Sequence, residues 1–188
     1  MDPPLAEPDD LHRFEAVVLP HLDAGYNLAR WLTRDPDAAY DAVQEATLRA
    51  FRFFASFKGG DARPWFLKIV RNAVASWREH RGEVIPFSAL DDEEGDPFVE
   101  AVASPLDDPE ALMQRLEGKA VMDGLLERLP AEFREVLVLR ELEELPYKEI
   151  AEVAGIPIGT VMSRLARARQ LLLTWGRELA LEEDRHGV

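Results

Sequence analysis

Apolar residues recur at steps of three and four along much of the chain, the spacing that gathers them on one side of a helix. From Val43 they run Val43, Ala46, Ala50, Phe53, Phe54 and Phe57. Asp35-Pro36-Asp37 before this stretch suits a helix start, and Gly59-Gly60 after it suits an end. Phe66, Ile69, Val70, Ala73, Val74 and Trp77 form a second stripe, with Lys68, Arg71, Asn72 and Arg78 on the opposite face and Arg81 just beyond. Met122, Leu125, Leu126 and Leu129 make a third, stopped by Pro130, and Phe133, Val136, Leu137 and Arg140 continue on the next. Last, a short helix carrying Ile150, Ala151 and Ala154 meets a turn at Gly155, and Pro157 suits the first turn of a longer helix. Along that helix Ile158, Val161, Leu165, Ala168 and Leu172 face inward, while Thr160, Ser163, Arg164, Arg167 and Gln170 face outward. Residues 83–118, rich in Asp, Glu and Pro, sustain neither a helical nor a strand period and read as a flexible linker. The expected fold is all-α: two small helical domains, 11–82 and 119–177, joined by the acidic linker, the second ending in a helix-turn-helix.

The length of 188 residues accommodates two small domains. No apolar run is long enough to span a bilayer, and the start, MDPPLAEPDD, is acidic where a secretion signal is basic and then apolar. The reading is a soluble, cytoplasmic protein without membrane association. The absence of cysteine excludes disulfides, thiolate catalysis and Cys-ligated zinc. His12, His21, His80 and His186 are scattered, and DDEEGD lacks calcium-loop spacing, so neither a metal, another cofactor nor an enzyme active site is expected.

A net charge of -14 argues at first against nucleic acid, since the phosphate field repels it. Its distribution changes that. Residues 83–118 carry eleven acids and one base, and both termini are acidic, whereas residues 11–82 carry eleven bases against eight acids. Between Arg49 and Arg81 stand eight bases and two acids, and from Ile156 to Arg177 four bases and no acid. Two cationic faces therefore remain for an anionic partner. Trp65, beside Phe66 but off the apolar stripe, suits stacking on a base and equally a cap on the core. The short helix, Gly turn and second helix presenting hydroxyl, Arg and Gln are what insertion into a major groove requires.

The runs LERLPAEFREVLVLRELEEL, LPYKEIAEVAG and IPIGTVMSRLARARQLL closely resemble region 4 of the extracytoplasmic-function (ECF) sigma factors of the sigma-70 family. The run RDPDAAYDAVQEATLRAFRFFASFKGGDARPWFLKIVRNAVASWREHR resembles region 2 of the same family, and the two together cover most of residues 11–177. This resemblance implies a non-enzymatic RNA polymerase subunit that recognises promoter -35 and -10 elements and helps melt the latter. It implies that Asp41, Gln44 and Glu45, with Arg49 following, dock on the clamp helices of the largest polymerase subunit, and that the C-terminal domain meets the flap of the second-largest. The -10 strand would lie on Phe57, Lys58, Arg63, Trp65, Lys68, Arg71, Asn72 and Arg78, with Asn72 reading a base. The -35 element would meet Thr160, Ser163, Arg164 and Arg167. An anti-sigma factor is a candidate further partner, and the acidic linker, with Asp91, Asp92, Glu93, Glu94 and Asp96, would mimic polyanion in the polymerase cleft.

Two positions depart from the family pattern. Tyr40 stands where many relatives carry an acid, which reads either as a variant interface or as docking that awaits a modification at Tyr40 or Thr47. Met162 replaces a common basic residue and removes one DNA contact. Two other readings stay open at the level of sequence: a helix-turn-helix regulator acting without core polymerase, and an acidic helical adaptor that binds protein.

Overall fold

The computed structural model describes residues 8–82 and 119–186, with side chains from 11–82 and 121–179. The acidic linker, including Asp91 to Asp96, lies outside the described residues. The N-terminal body consists of α1 (Pro8–Val18), a 3₁₀ turn (Leu19–His21), α2 (Leu22–Thr33), α3 (Pro36–Phe53), a second 3₁₀ turn (Phe54–Ser56) and α4 (Ala62–His80). The C-terminal body consists of α5 (Lys119–Arg128), α6 (Ala131–Leu137) running into a π turn (Val138–Leu142), α7 (Tyr147–Ala154) and α8 (Ile158–His186). Every regular element among the described residues is helical, as the apolar spacing requires.

Local chemistry sets the helix ends. The Asp35 carboxylate accepts from the backbone N–H groups of Asp37 (2.9 Å) and Ala38 (3.2 Å), and Pro36 occupies the first turn, where its missing N–H removes no bond. Asp61 caps α4 in the same way through the Arg63 N–H at 2.9 Å. Gly155 ends α7 in the left-handed region at φ +70°, its N–H donating to the Ala151 carbonyl, a conformation that any side chain would strain.

Small residues bring the N-terminal helices close. Ala39, Ala42, Ala46 and Ala50 line the buried side of α3, and α2 approaches α4 at Gly25, where an added Cβ would sit 2.8 Å from Phe66 Cε1. Phe66, Leu67, Val70 and Val74 of α4 are buried there, while Ile69 and Trp77 lie half-buried at the edge of their stripe. In the C-terminal body Leu125, Leu129, Val136, Leu139, Ile150, Val161, Leu165 and Ala168 form the equivalent core. The two bodies touch. Helix α4 packs against α7 as well as α2 and α3, α2 packs against α6, and the buried apolar residues form one continuous cluster.

Two positions expected to face inward do not. Phe53 is 62% exposed because the chain tightens into a 3₁₀ turn at that point, which hands the buried place to Phe54. Ile158 is 50% exposed. It shares the buried side of α8 with Leu165, seven residues on, but stands at the first position of the helix.

The contact at Gly25 yields a paired prediction. Gly25→Ala lowers the urea midpoint by the equivalent of about 1–3 kcal/mol, because Phe66 is fully buried and has little room to yield. Gly124→Ala in α5, where an added Cβ meets nothing within 4 Å, raises it by about 0.5–1 kcal/mol. Equal effects of the two would show that α2 does not lean on Phe66.

Candidate nucleic-acid interface

At the head of α4 an aromatic ladder links the core to the surface. Phe14 meets Phe51 and Phe54 edge-on at 5.1 and 5.4 Å, Phe54 stacks with Phe57 at 6.0 Å, and Phe57 tilts against Trp65 at 5.1 Å. The reading of Trp65 as a cap on the core is what the packing shows. Its ring packs on Phe57 and also lines an open hollow bounded by Lys58, Gly59, Pro64 and Lys68 on one side and by Glu149 and Glu152 of α7 on the other. A flat aromatic wall beside two lysines matches the stacking and phosphate chemistry of a single strand.

Along α4 the cationic side divides. Lys68 and Asn72 are exposed. Arg71 reaches instead to Glu135 of α6 at 2.9 Å, and Arg63 pairs with Glu143 at the end of the π turn. Arg78 is half-buried, and Arg81 lies over the Trp77 ring at 4.8 Å.

The second face is the unit α7, Gly155, α8. Thr160, Ser163, Arg164 and Arg167 lie together on α8, each partly exposed, and the Ser163 hydroxyl donates to the Thr160 carbonyl at 3.1 Å. Ile158 and Met162 project further, at 50% and 54% exposure. Other bases of this body serve the fold. Arg140 lies over Tyr147 and donates to the Leu145 carbonyl, and Arg128 covers Trp175 at 4.6 Å. Burial disfavours the charge of Arg169, but the Glu141 carboxylate at 2.7 Å outweighs it, with help from Tyr147, and the guanidinium holds its proton more tightly than usual.

A third face lies on α3. Asp41, Gln44 and Glu45 are exposed on one side, with Arg49 closing a 2.7 Å ion pair to Glu45. Tyr40 and Leu48 flank them at 60% and 58% exposure, whereas the Thr47 hydroxyl is turned to the Val43 carbonyl. Leu48 escaped the sequence reading, although an apolar residue off the alanine stripe is a signal for an exposed contact.

Sequence reasoning also missed the acids that meet α4. Glu135 and Glu143 are 7% and 2% exposed, and neither stands out by composition. Nearby, Arg134 is buried and donates to the carbonyls of Glu127 (3.2 Å) and Leu129 (3.1 Å) at the end of α5. The Arg34 guanidinium donates to the same Glu127 carbonyl. Burial, then the charges of Arg34 and Arg78, pull the Arg134 pKa down to about 10.

Among the described residues no group of His, Asp and Glu has the arrangement to hold a metal ion, and no helix is long and apolar enough to cross a membrane. A cationic helix headed by an aromatic hollow, followed by a helix-turn-helix, has the architecture of a DNA-binding transcription protein. Comparison with known proteins gives the family. The sigma-70 region 2 model matches residues 17–83 and the sigma-70 region 4 model residues 120–172. The RNA polymerase sigma-H factor of Pseudomonas aeruginosa is 32% identical over 165 residues, covering 87% of this chain and 86% of its own. The ECF RNA polymerase sigma-E factor of Escherichia coli is 36% identical over 134 residues, 70% of each chain. The solved structure of the sigma factor RpoE in complex with the anti-sigma factor NepR from Bartonella quintana superposes with a TM-score of 0.62 at 26% identity, covering 85% of this chain and 94% of that one. The chain belongs to the sigma-70 family of RNA polymerase sigma factors, in its ECF group. It is thus a transcription initiation factor and not an enzyme, and the readings as a polymerase-independent regulator or an adaptor give way.

The cap at Asp61 orders the Phe57–Asp61 loop against α4. Asp61→Ala lowers stability by about 1 kcal/mol in urea titration, and Asp61→Ser recovers most of it. No change on either substitution would show that the α4 start is held by Pro64 and Trp65 alone.

Proposed function

We propose that this protein directs core RNA polymerase to specific promoters through three faces. On α3, Asp41, Gln44 and Glu45, with Arg49, dock on the clamp helices of the largest subunit, where charge complementarity sets orientation and on-rate. Tyr40 in place of an acid makes this a less acidic interface, and the exposed Leu48 and Tyr40 give it an apolar component. The C-terminal body docks on the flap of the second-largest subunit.

The -10 strand is held at the head of α4. A base flips into the hollow beside Phe57 and Trp65, Asn72 meets a base edge with an amide that both donates and accepts, and Lys58, Arg63, Lys68, Arg71 and Arg78 follow phosphates. Exchange of duplex stacking for stacking on Trp65 favours the melted state. The -35 element is read by Thr160, Ser163, Arg164 and Arg167 from the major groove, some contacts going to bases and some to backbone. The observation that carries this reading is the presence, in one chain and in the family's order, of region 2 with its aromatic-headed basic helix and region 4 with its helix-turn-helix. The protein works where the polymerase is, in the cytoplasm. The RpoE neighbour was solved with an anti-sigma factor, which makes such a factor a candidate partner here as well.

The direct test mixes purified protein with sigma-free core and a promoter library. Specific transcripts are expected, and failure to bind core or to initiate specifically overturns the proposal. Within that assay, Asn72→Ala reduces open-complex formation about tenfold or more with core binding unchanged. Equal loss of both would make Asn72 a fold residue. Arg167→Ala weakens -35-dependent binding roughly tenfold and lowers the salt slope by about 1, as expected for one lost phosphate contact. An unchanged slope counts against that contact.

A further inference from the structure

Helix α8 carries four bases and no acid before Glu178, yet its first two turns expose two large apolar side chains. Met162 is 54% and Ile158 50% exposed, and neither belongs to the core cluster or to the residues packed against it. They stand four residues apart, the spacing that makes side chains neighbours on a helix surface. Gly159 lies beside them, and an added Cβ there meets nothing within 4 Å, so the fold leaves this flank of α8 open. The polar groups around the spot are Thr160, Ser163, Arg164 and Arg167. Of these, Ser163 already donates its hydroxyl proton to the Thr160 carbonyl at 3.1 Å. An apolar spot ringed by hydroxyls and cations suits a partner surface that is anionic around it and apolar only at points. The major groove of DNA is such a surface, since phosphates line its rims and thymine alone among the bases carries a methyl group on its floor.

We propose that Met162, flanked by Ile158, selects thymine in the -35 element by packing on its 5-methyl group. The proposal rests on the assignment of α8 to the -35 element. The thioether chain is flexible and polarisable, so it follows a methyl group on the groove floor without a fixed geometry. Contact removes apolar area of both partners from water. Opposite cytosine the same side chain would cover the N4 amine with no strong acceptor, and opposite guanine it would cover the O6 and N7 acceptors with no donor. Methionine at position 162 therefore changes which base is favoured, where a basic residue would hold phosphate or guanine.

The test uses holoenzyme assembled from the full chain and core polymerase, with the -35 element that it selects from a promoter library. Each thymine of that element is replaced in turn by deoxyuridine, which removes the methyl group and nothing else. At one thymine the exchange is expected to weaken binding about fourfold, the effect of one methyl group taken from water. Met162→Ala abolishes the difference between thymine and deoxyuridine at that position. Met162→Leu retains it, which separates loss of the apolar contact from a change of fold. A selected element with no methyl-sensitive thymine, or a sensitivity that persists in Met162→Ala, overturns the proposal. The two readings fail separately: binding indifferent to scrambling of the whole -35 element counts against the assignment of α8 and takes the methyl contact with it, whereas binding that needs the element but ignores its methyl groups strikes the methyl contact alone.

Discussion

Helix α4 has to satisfy two neighbours at once. One side carries Phe66, Val70 and Val74 into the N-terminal core, pressed by Gly25 of α2 and the alanine face of α3. The other carries Arg63 and Arg71 to acids of the C-terminal body. The first contact is apolar and close-packed, so it fixes α4 in position to within the tolerance of a methyl group. The second adds ion pairs, with arginines 31% and 26% exposed and carboxylates nearly buried, to apolar packing that continues from one body into the other. The rest of the molecule follows from that asymmetry: a firm N-terminal body displays a cationic helix, and a second body engages it with charge.

The same asymmetry explains how a strongly acidic chain handles nucleic acid. Its negative charge is concentrated in the termini and in residues 83–118, leaving both folded bodies near neutral or slightly basic. Within the C-terminal body the balance of nine bases and nine acids conceals a division of labour. Arg164 and Arg167 lie on the helix-turn-helix, while Glu135, Glu143, Glu149 and Glu152 turn toward α4. Each face is thereby paired with its own kind of charge, and neither depends on the net value.

Much of this was legible in the sequence because most helices bury one face, and a 3.6-residue period survives in the residue order. The stripes ending in Val74, Leu129 and Leu172 were recovered in this way, as were the caps at Asp35 and Gly155. What escaped was of two kinds. Phe53 and Ile158 stand at the last and first positions of their helices, where an otherwise sound period runs out. The pairs Arg71 with Glu135 and Arg63 with Glu143 span 64 and 80 residues, a separation at which residue order holds no trace of contact. A basic helical face can be recognised from its own residues, but the acids that meet it cannot. The candidate DNA contacts were thus visible as chemistry, and their present engagement only as geometry.

Arg134 brings a further consequence. It is a buried cation fastened to the end of α5, and the two like charges that help depress its pKa, Arg34 and Arg78, belong to the opposite body. Bringing the bodies together therefore gathers three guanidinium groups while it joins two ion pairs. Arg34 and Arg134 both donate to the Glu127 carbonyl, so one backbone oxygen at the end of α5 holds cations of both bodies side by side. A charge that burial disfavours is thus kept by backbone oxygen and not by a carboxylate, and the α5 end becomes a joint at which both bodies answer to a single peptide group.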